Sequence, residues 1–282
     1  MLICSGGFAS SKLKTRNLIH TDQIGNTIQF AAPPRRIVSL VPSQTELLFD
    51  FGLDEMVVGV TKFCIHPKEK CKAKTQVGGT KNVNFERIAA LQPDLIIGNK
   101  EENDRSQIEQ LQALYPVWMS DIATVQDAIC MIKSIGELTG TTERANQLAS
   151  EINNAFQSAI PNPQSAIKAA YLIWYRPWMT VGSGTFIDSM LAQAGFTNVF
   201  GAKTRYPEIT LEELAAAAPS VVMLSSEPYP FKEQHIAEVK QLCPLAVVKL
   251  VDGELFSWYG SRMLQAAPYF VSLRNELAAI IT

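Results

Sequence analysis

No stretch of this 282-residue chain concentrates lysine and arginine, and 25 basic against 27 acidic residues leave a formal charge of −2. That balance excludes an electrostatic nucleic-acid binder. The most basic stretch, Lys68 to Lys74, is interrupted by Glu69 and Cys71 and reads as a solvated loop. No apolar run reaches the ~18–20 residues that a membrane-spanning helix needs. Histidine is scarce: His20, His66 and His235 lie far apart and share no ligand spacing, so direct metal ligation is not expected. Five cysteines form no metal-binding pattern. Cys64 and Cys71, separated by six residues, suit either a disulfide in an oxidising compartment or two small buried thiols. There is no glycine-rich phosphate loop. Gly182-Ser183-Gly184 lacks the frame of a nucleophile elbow and reads as a turn before a helix capped by Thr185.

What is present is alternation. Ile19 to Phe30 predicts a hairpin around Gly25-Asn26. Strands are expected at 37–41, 57–60, 94–98, 117–119, 169–174, 221–224 and 247–251, each short and apolar, as in a sheet covered on both faces. Helices are expected between them at 84–91, 106–114, 185–195 and 210–218, with a terminal helix at 266–281. Ser43-Gln-Thr-Glu46 reads as a capping box opening a further helix. This order predicts an α/β protein of two Rossmann-like lobes with mainly parallel sheets. Residues 141–160 carry apolar side chains at helical spacing (Ala145, Leu148, Ala149, Ile152, Phe156), predicting one long helix that joins the lobes. The expected organisation is an N-terminal extension over 1–16, one lobe over 17–140, the joining helix over 141–160, and a second lobe over 161–282. Residues 1–8 are too short for the apolar core of a secretory leader, so either a leader is absent from this chain or the protein works in the cytoplasm.

Two segments 126 positions apart run in one register without gaps. Asn84-Phe-Glu86 through Pro93 to Gly98 matches Thr210-Leu-Glu212 through Pro219 to Leu224, and Glu101 and Glu227 follow at equal distance. Such a repeat predicts pseudo-symmetric lobes, and ligands of open α/β sheets sit beyond the carboxyl ends of the strands.

The loops at those strand ends hold an unusual share of aromatic and arginine side chains. They contain Trp174, Arg176 and Trp178, then Arg205 and Tyr206, then Glu227 and Tyr229, and finally Trp258, Tyr259 and Arg262. The other lobe contributes Phe63 and Glu102. Large flat side chains at strand ends are expected to be covered by a large, partly flat ligand. Arginines among them would meet carboxylates, phosphates or amide oxygens. No catalytic constellation emerges from this set, and no cofactor is expected.

The segments Pro33-Pro-Arg-Arg-Ile-Val-Ser-Leu-Val-Pro-Ser-Gln-Thr-Glu46, Val77-Gly-Gly-Thr80, Asn84-Phe-Glu-Arg-Ile88 and Gln92-Pro-Asp-Leu-Ile-Ile97 resemble the periplasmic binding proteins for cobalamin and ferric siderophores. The resemblance extends over roughly residues 17–282. It implies a monomeric carrier, periplasmic or lipid-anchored, that delivers its cargo to an ABC importer and is not an enzyme. It also implies that arginines of the permease subunits meet one exposed glutamate per lobe, at the positions of Glu86 and Glu212. Phe63, Tyr206 and Trp258 stand where the cobalamin binders have aromatic residues, whereas Thr80 and Ser257 depart from their pattern. A corrinoid is the first ligand so implied, a ferric siderophore the second and haem the third. The alternative is a cytoplasmic corrinoid- or tetrapyrrole-handling protein, either a buffer, a sensor or a chelatase-like enzyme.

Overall fold

The computed structural model describes residues 18–30, 32–159 and 167–281; the predicted 1–16 extension and the prolines after the joining helix lie outside them. A hairpin of β1 (Leu18–Thr21) and β2 (Thr27–Phe30) comes first. Its turn is wider than a two-residue Gly-Asn corner because Asp22 organises it, accepting from the backbone N–H of Ile24 and Asn26 at 3.0 and 2.7 Å. The other Asp22 oxygen accepts from the Met119 amide at 3.2 Å, which hooks the hairpin onto the first lobe.

The first lobe contains β3 (Ile37–Ser39), α1 (Pro42–Asp50), β4 (Val57–Val60), α2 (Lys68–Lys72), β5 (Thr75–Gln76), α3 (Phe85–Leu91), β6 (Leu95–Asn99), α4 (Arg105–Gln112) and β7 (Val117–Ser120). Its five strands are all parallel, in the order β5-β4-β3-β6-β7. The stretch 68–74 is therefore partly helical rather than a loop, with Cys71 turned into the core and the lysines outward. The predicted capping box at 43–46 is also corrected. Val41 is the N-cap and Pro42 occupies the first turn, where its missing N–H costs nothing. Thr45 instead bonds back to the Val41 carbonyl and Ser39, and Glu46 is used elsewhere.

Two antiparallel helices follow, α5 (Val125–Thr139) and α6 (Thr142–Ala159), joined at Gly140 in the left-handed conformation. The second lobe has β8 (Ile167–Trp174), β9 (Met179–Thr180), α7 (Phe186–Gln193), β10 (Phe196–Asn198), α8 (Leu211–Ala216), β11 (Val221–Ser225), α9 (Glu233–Leu242), β12 (Val247–Val251), α10 (Glu254–Ser257) and α11 (Met263–Ile281). Its strand order is β10-β8-β11-β12, parallel throughout, with β9 antiparallel on β8. The eighteen residues of α6 give a rod of ~27 Å. Its apolar face is buried between α5 and α11, where Phe156 meets Phe270 edge-on at 6.3 Å. One hydrophobic core runs from Phe30 through this helical layer to Leu277, so the two sheets are joined by packed side chains as well as by chain.

The repeat proves deeper than its residue types. Gln92 and Ala218, the equivalent residues before Pro93 and Pro219, both leave their helices in the left-handed region, at φ 45° and 47°. A following proline disfavours the right-handed conformation, so both chains turn out of the helix the same way.

Gly136 of α5 lies so close to α6 that an added Cβ would stand 2.2 Å from the Ala145 Cβ. Gly136→Val is therefore expected to cost about 1–3 kcal/mol through overpacking, read as a lower urea midpoint. An unchanged midpoint would mean that the helical layer yields easily.

Candidate ligand-binding cleft

Each sheet reverses its winding beside its first strand, between β3 and β6 in one lobe and between β8 and β11 in the other. Those are the points where adjacent crossovers leave in opposite directions and open a crevice. In the first lobe the crevice is bounded by the start of α1 and the turn Asn99–Asn103. In the second it is bounded by Trp174 and the turn Ser225–Tyr229. The two crevices face each other, and the equivalent turns place one carboxylate pair across the gap.

Glu102 hangs from a turn whose amides are tied to Asn99: the N–H groups of Glu101 and Glu102 donate to Asn99 Oδ1 at 2.8 and 3.1 Å. Burial, and then repulsion from Glu227, hold the Glu102 carboxyl above the usual range, against a smaller opposing pull from Lys81. Glu227 is raised too, again chiefly by burial. It accepts from Ser257 Oγ at 2.5 Å and from Trp258 Nε1 at 2.8 Å, which moderates the shift. Gly253 allows this arrangement, since a Cβ there would come within 2.4 Å of Ser225 Oγ and 2.7 Å of Glu227 Cγ.

Ion pairs close the gap beside these carboxylates. Arg262 grips Glu46 of α1 through two hydrogen bonds of 2.9 and 2.6 Å and meets Glu254 at 2.8 Å. His66, from the loop after β4, reaches the same Glu254 at 3.1 Å and packs edge-on against Trp258 at 5.4 Å. The Arg262 guanidinium lies 4.9 Å from the Trp258 ring centre. On the other side of the cleft, Arg205 pairs with Glu101, and the Tyr206 hydroxyl donates to Glu101 at 2.9 Å. The Arg262–Glu46, His66–Glu254, His66–Trp258, Arg205–Glu101 and Tyr206–Glu101 contacts each join one lobe to the other.

Of the residues singled out by sequence, Glu102, Arg205, Tyr206, Glu227, Trp258, Tyr259 and Arg262 converge on this region, and Phe63 lies in the loop after β4 that also carries His66. Phe63 and Trp174 are 49% and 41% exposed, leaving aromatic faces available for a ligand to cover. Trp178, Arg176 and Tyr229 are placed otherwise. Trp178 is buried under its own loop, stacked on Phe231 at 5.9 Å and 12°. Tyr229 joins the same aromatic cluster, with its hydroxyl 3.2 Å from His235 Nε2. Arg176 points to Glu238 at 3.7 Å, beside a shallow surface depression of about 500 Å³ that also holds Glu212. Sequence reading passed over Glu46, His66 and Glu254 as cleft residues. Their partners lie 188 to 216 positions away or on the other lobe, so no local spacing announces them.

Glu86 and Glu212 are exposed in the first turns of α3 and α8. The Glu212 carboxyl is held below its ordinary range by its own backbone N–H and by Thr210. A second depression, of about 520 Å³ and lined by Leu242, Leu245 and Ile281, lies at the opposite end of the second sheet from the cleft. Cys64 and Cys71 are buried free thiols, the latter pushed up to about 12 by burial and by the neighbouring Cys64. Among the described residues no group of three or more His, Cys, Asp or Glu side chains is placed to hold a metal, and no helix is long and apolar enough to cross a membrane.

Two facing α/β lobes around an aromatic and acidic crevice define a solute-binding protein. Residues 37–242 match the family described as periplasmic binding protein, and the chain belongs to that family, one of binding proteins and not of enzymes. A vitamin B12-binding protein of Salmonella typhimurium is 29% identical over 258 residues, spanning 88% of this chain and 92% of the relative. Among solved structures, the periplasmic vitamin B12-binding protein BtuF of Vibrio cholerae superposes with a TM-score of 0.74 at 21% identity, covering 87% of this chain and 98% of that one. The apo periplasmic haem-binding protein RhuT of Roseiflexus sp. RS-1 gives a TM-score of 0.74, also at 21% identity, over 86% and 99% of the two chains.

Because Glu102 takes up its proton more readily when folded, stability falls as pH rises from the ordinary carboxylate range, 4.5 for glutamate, through the raised value. Glu102→Gln removes that penalty. It should raise Tm by about 2–4 °C near pH 8, with the gain vanishing toward pH 4 in a thermal-melt series.

Proposed function

We propose that the protein is the substrate-binding component of an ABC importer, taking a corrinoid between its lobes and handing it to the membrane permease. The observation that carries the choice of cargo is the state of the cleft arginines. Arg262 is held by Glu46 and Glu254, and Arg205 by Glu101, so both charges are already met by protein carboxylates. A haem with two propionates, or an acidic siderophore, would have to break those pairs and then face Glu102 and Glu227. A corrinoid offers a broad apolar face to the exposed Phe63 and Trp174, and a rim of uncharged groups to the carboxylates. Vitamin B12 is also what the curated relatives are named for.

The compartment that suits this role is the periplasm, or its face of the membrane by a lipid anchor. The working form is a monomer whose cleft opens and closes about α6. Titration with cyanocobalamin, a ferric siderophore and haem, followed by absorbance and melting temperature, tests the cargo. Stabilisation by cyanocobalamin is expected, and stabilisation by haem alone would replace it with the haem reading.

Glu86 and Glu212 are read as the points that meet arginines of the two permease subunits. Exposed charges of this sort steer and orient a complex more than they hold it. Glu86→Ala with Glu212→Ala is therefore expected to reduce ligand-coupled uptake in reconstituted vesicles about tenfold or more while leaving ligand affinity within about twofold. Unchanged uptake would remove these residues from docking.

A further inference from the structure

The floor of the cleft holds buried polar atoms with unused hydrogen-bonding capacity, grouped around Ser120 at the end of β7. Ser120 Oγ donates to the Gly98 carbonyl at 3.2 Å, which spends its single proton. Its lone pairs then face donors, Asn99 Nδ2 at 2.9 Å and Gln44 Nε2 at 2.5 Å. This orients the Gln44 amide: its nitrogen meets Ser120, and its oxygen, fully buried in the first turn of α1, has no partner. From the other lobe, the Tyr259 hydroxyl comes up beside Ser43 and Ser120, within electrostatic reach of Glu102. The ring is only 5% exposed, and its hydroxyl stands within hydrogen-bonding reach of Ser43 and Ser120 without good geometry to either. Glu102 is carried by the turn anchored on Asn99, the residue whose amide also donates to Ser120.

The groups a ligand could engage are therefore two acceptors, the unpartnered Gln44 oxygen and the Glu102 carboxyl, and one donor, the poorly paired Tyr259 O–H. Buried polar groups left unpaired are costly, and ligands that pair them are selected strongly over those that cannot. A primary carboxamide has the complementary set, two N–H donors and one carbonyl acceptor on a single planar group. A carboxylate in the same place would bring no proton to either acceptor.

We infer that Gln44, Glu102 and Tyr259 form a seat for one primary carboxamide of the transported ligand, a specificity-determining contact made by both lobes that forms only when the cleft is occupied. The inference rests on the corrinoid reading, since a corrin ring carries such amides at its rim and haem carries carboxylates instead. It also ties closure to recognition, because Tyr259 arrives from one lobe while Gln44 and Glu102 belong to the other.

The test uses the full protein and calorimetric titration with cyanocobalamin and with its separated monocarboxylic acids, in each of which one peripheral amide has become a carboxylate. The wild type is expected to bind one of these acids at least about tenfold more weakly than the parent. In Tyr259→Phe and in Glu102→Gln that ratio is expected to fall to within about threefold, with far-UV circular dichroism and Tm showing that each variant folds. If one variant does not fold, the other decides. Equal binding of every monoacid by the wild type overturns the seat and leaves the corrinoid reading standing. A ratio that survives in the folded variants does the same, and would assign the unpaired atoms to water. Failure of the wild type to bind cyanocobalamin at all overturns the corrinoid reading and the seat together.

Discussion

The bidentate contact between Arg262 and Glu46 ties the start of α1 in one lobe to the chain just before α11 in the other. Both side chains are only 11% exposed, so neither charge can be left behind in water when the other moves. Burial works against the Arg262 charge, but the hydrogen bonds and attraction of Glu46 outweigh it and the guanidinium is held above its ordinary pKa. Losing one member of such a pair costs about 3–5 kcal/mol, mostly the penalty on the orphaned partner. The contact therefore pins one lobe to the other. Glu254, His66 and Trp258 are organised around it, and through Trp258 it reaches Glu227 and the cleft.

From that pin the electrostatics of the cleft follow. Its arginines are spent on protein carboxylates, which leaves Glu102 and Glu227 as cleft carboxyls that no arginine neutralises. Burial raises both carboxyls, and repulsion from Glu227 adds to the shift at Glu102. The aromatic residues supply area without direction, and the polar residues supply direction. That division is usual in pockets for large, mostly apolar ligands.

The strands were readable because a sheet covered on both faces needs continuous apolar runs, and 221–224 and 247–251 are such runs. Helix starts were readable where a short polar side chain caps the helix, as Asn84, Thr185 and Thr210 do. The same logic failed at 43–46. The pattern of a capping box is present there, but Pro42 starts the helix and tertiary partners claim Thr45 and Glu46. Trp178 and Arg176 were grouped with the cleft because they follow a strand end. The turn between them and Trp174 carries them to the outer aromatic cluster and to Glu238. His66 lies in a loop of its own lobe, and its partner is on the other lobe.

The linear sequence alone determined the α/β class, the alternation of elements, the long joining helix and the repeat at a spacing of 126 positions that pairs Glu86 with Glu212 and Glu101 with Glu227. Those features are set by local propensity and by periodicity, which act over one or two turns of chain. Which strand-end residues line the cleft, which arginines are already neutralised, and which buried polar atoms are left unpaired were decided only by the tertiary structure. Each depends on contacts such as Arg262 with Glu46, made across 216 positions of chain, and on burial, which no single segment can set for itself.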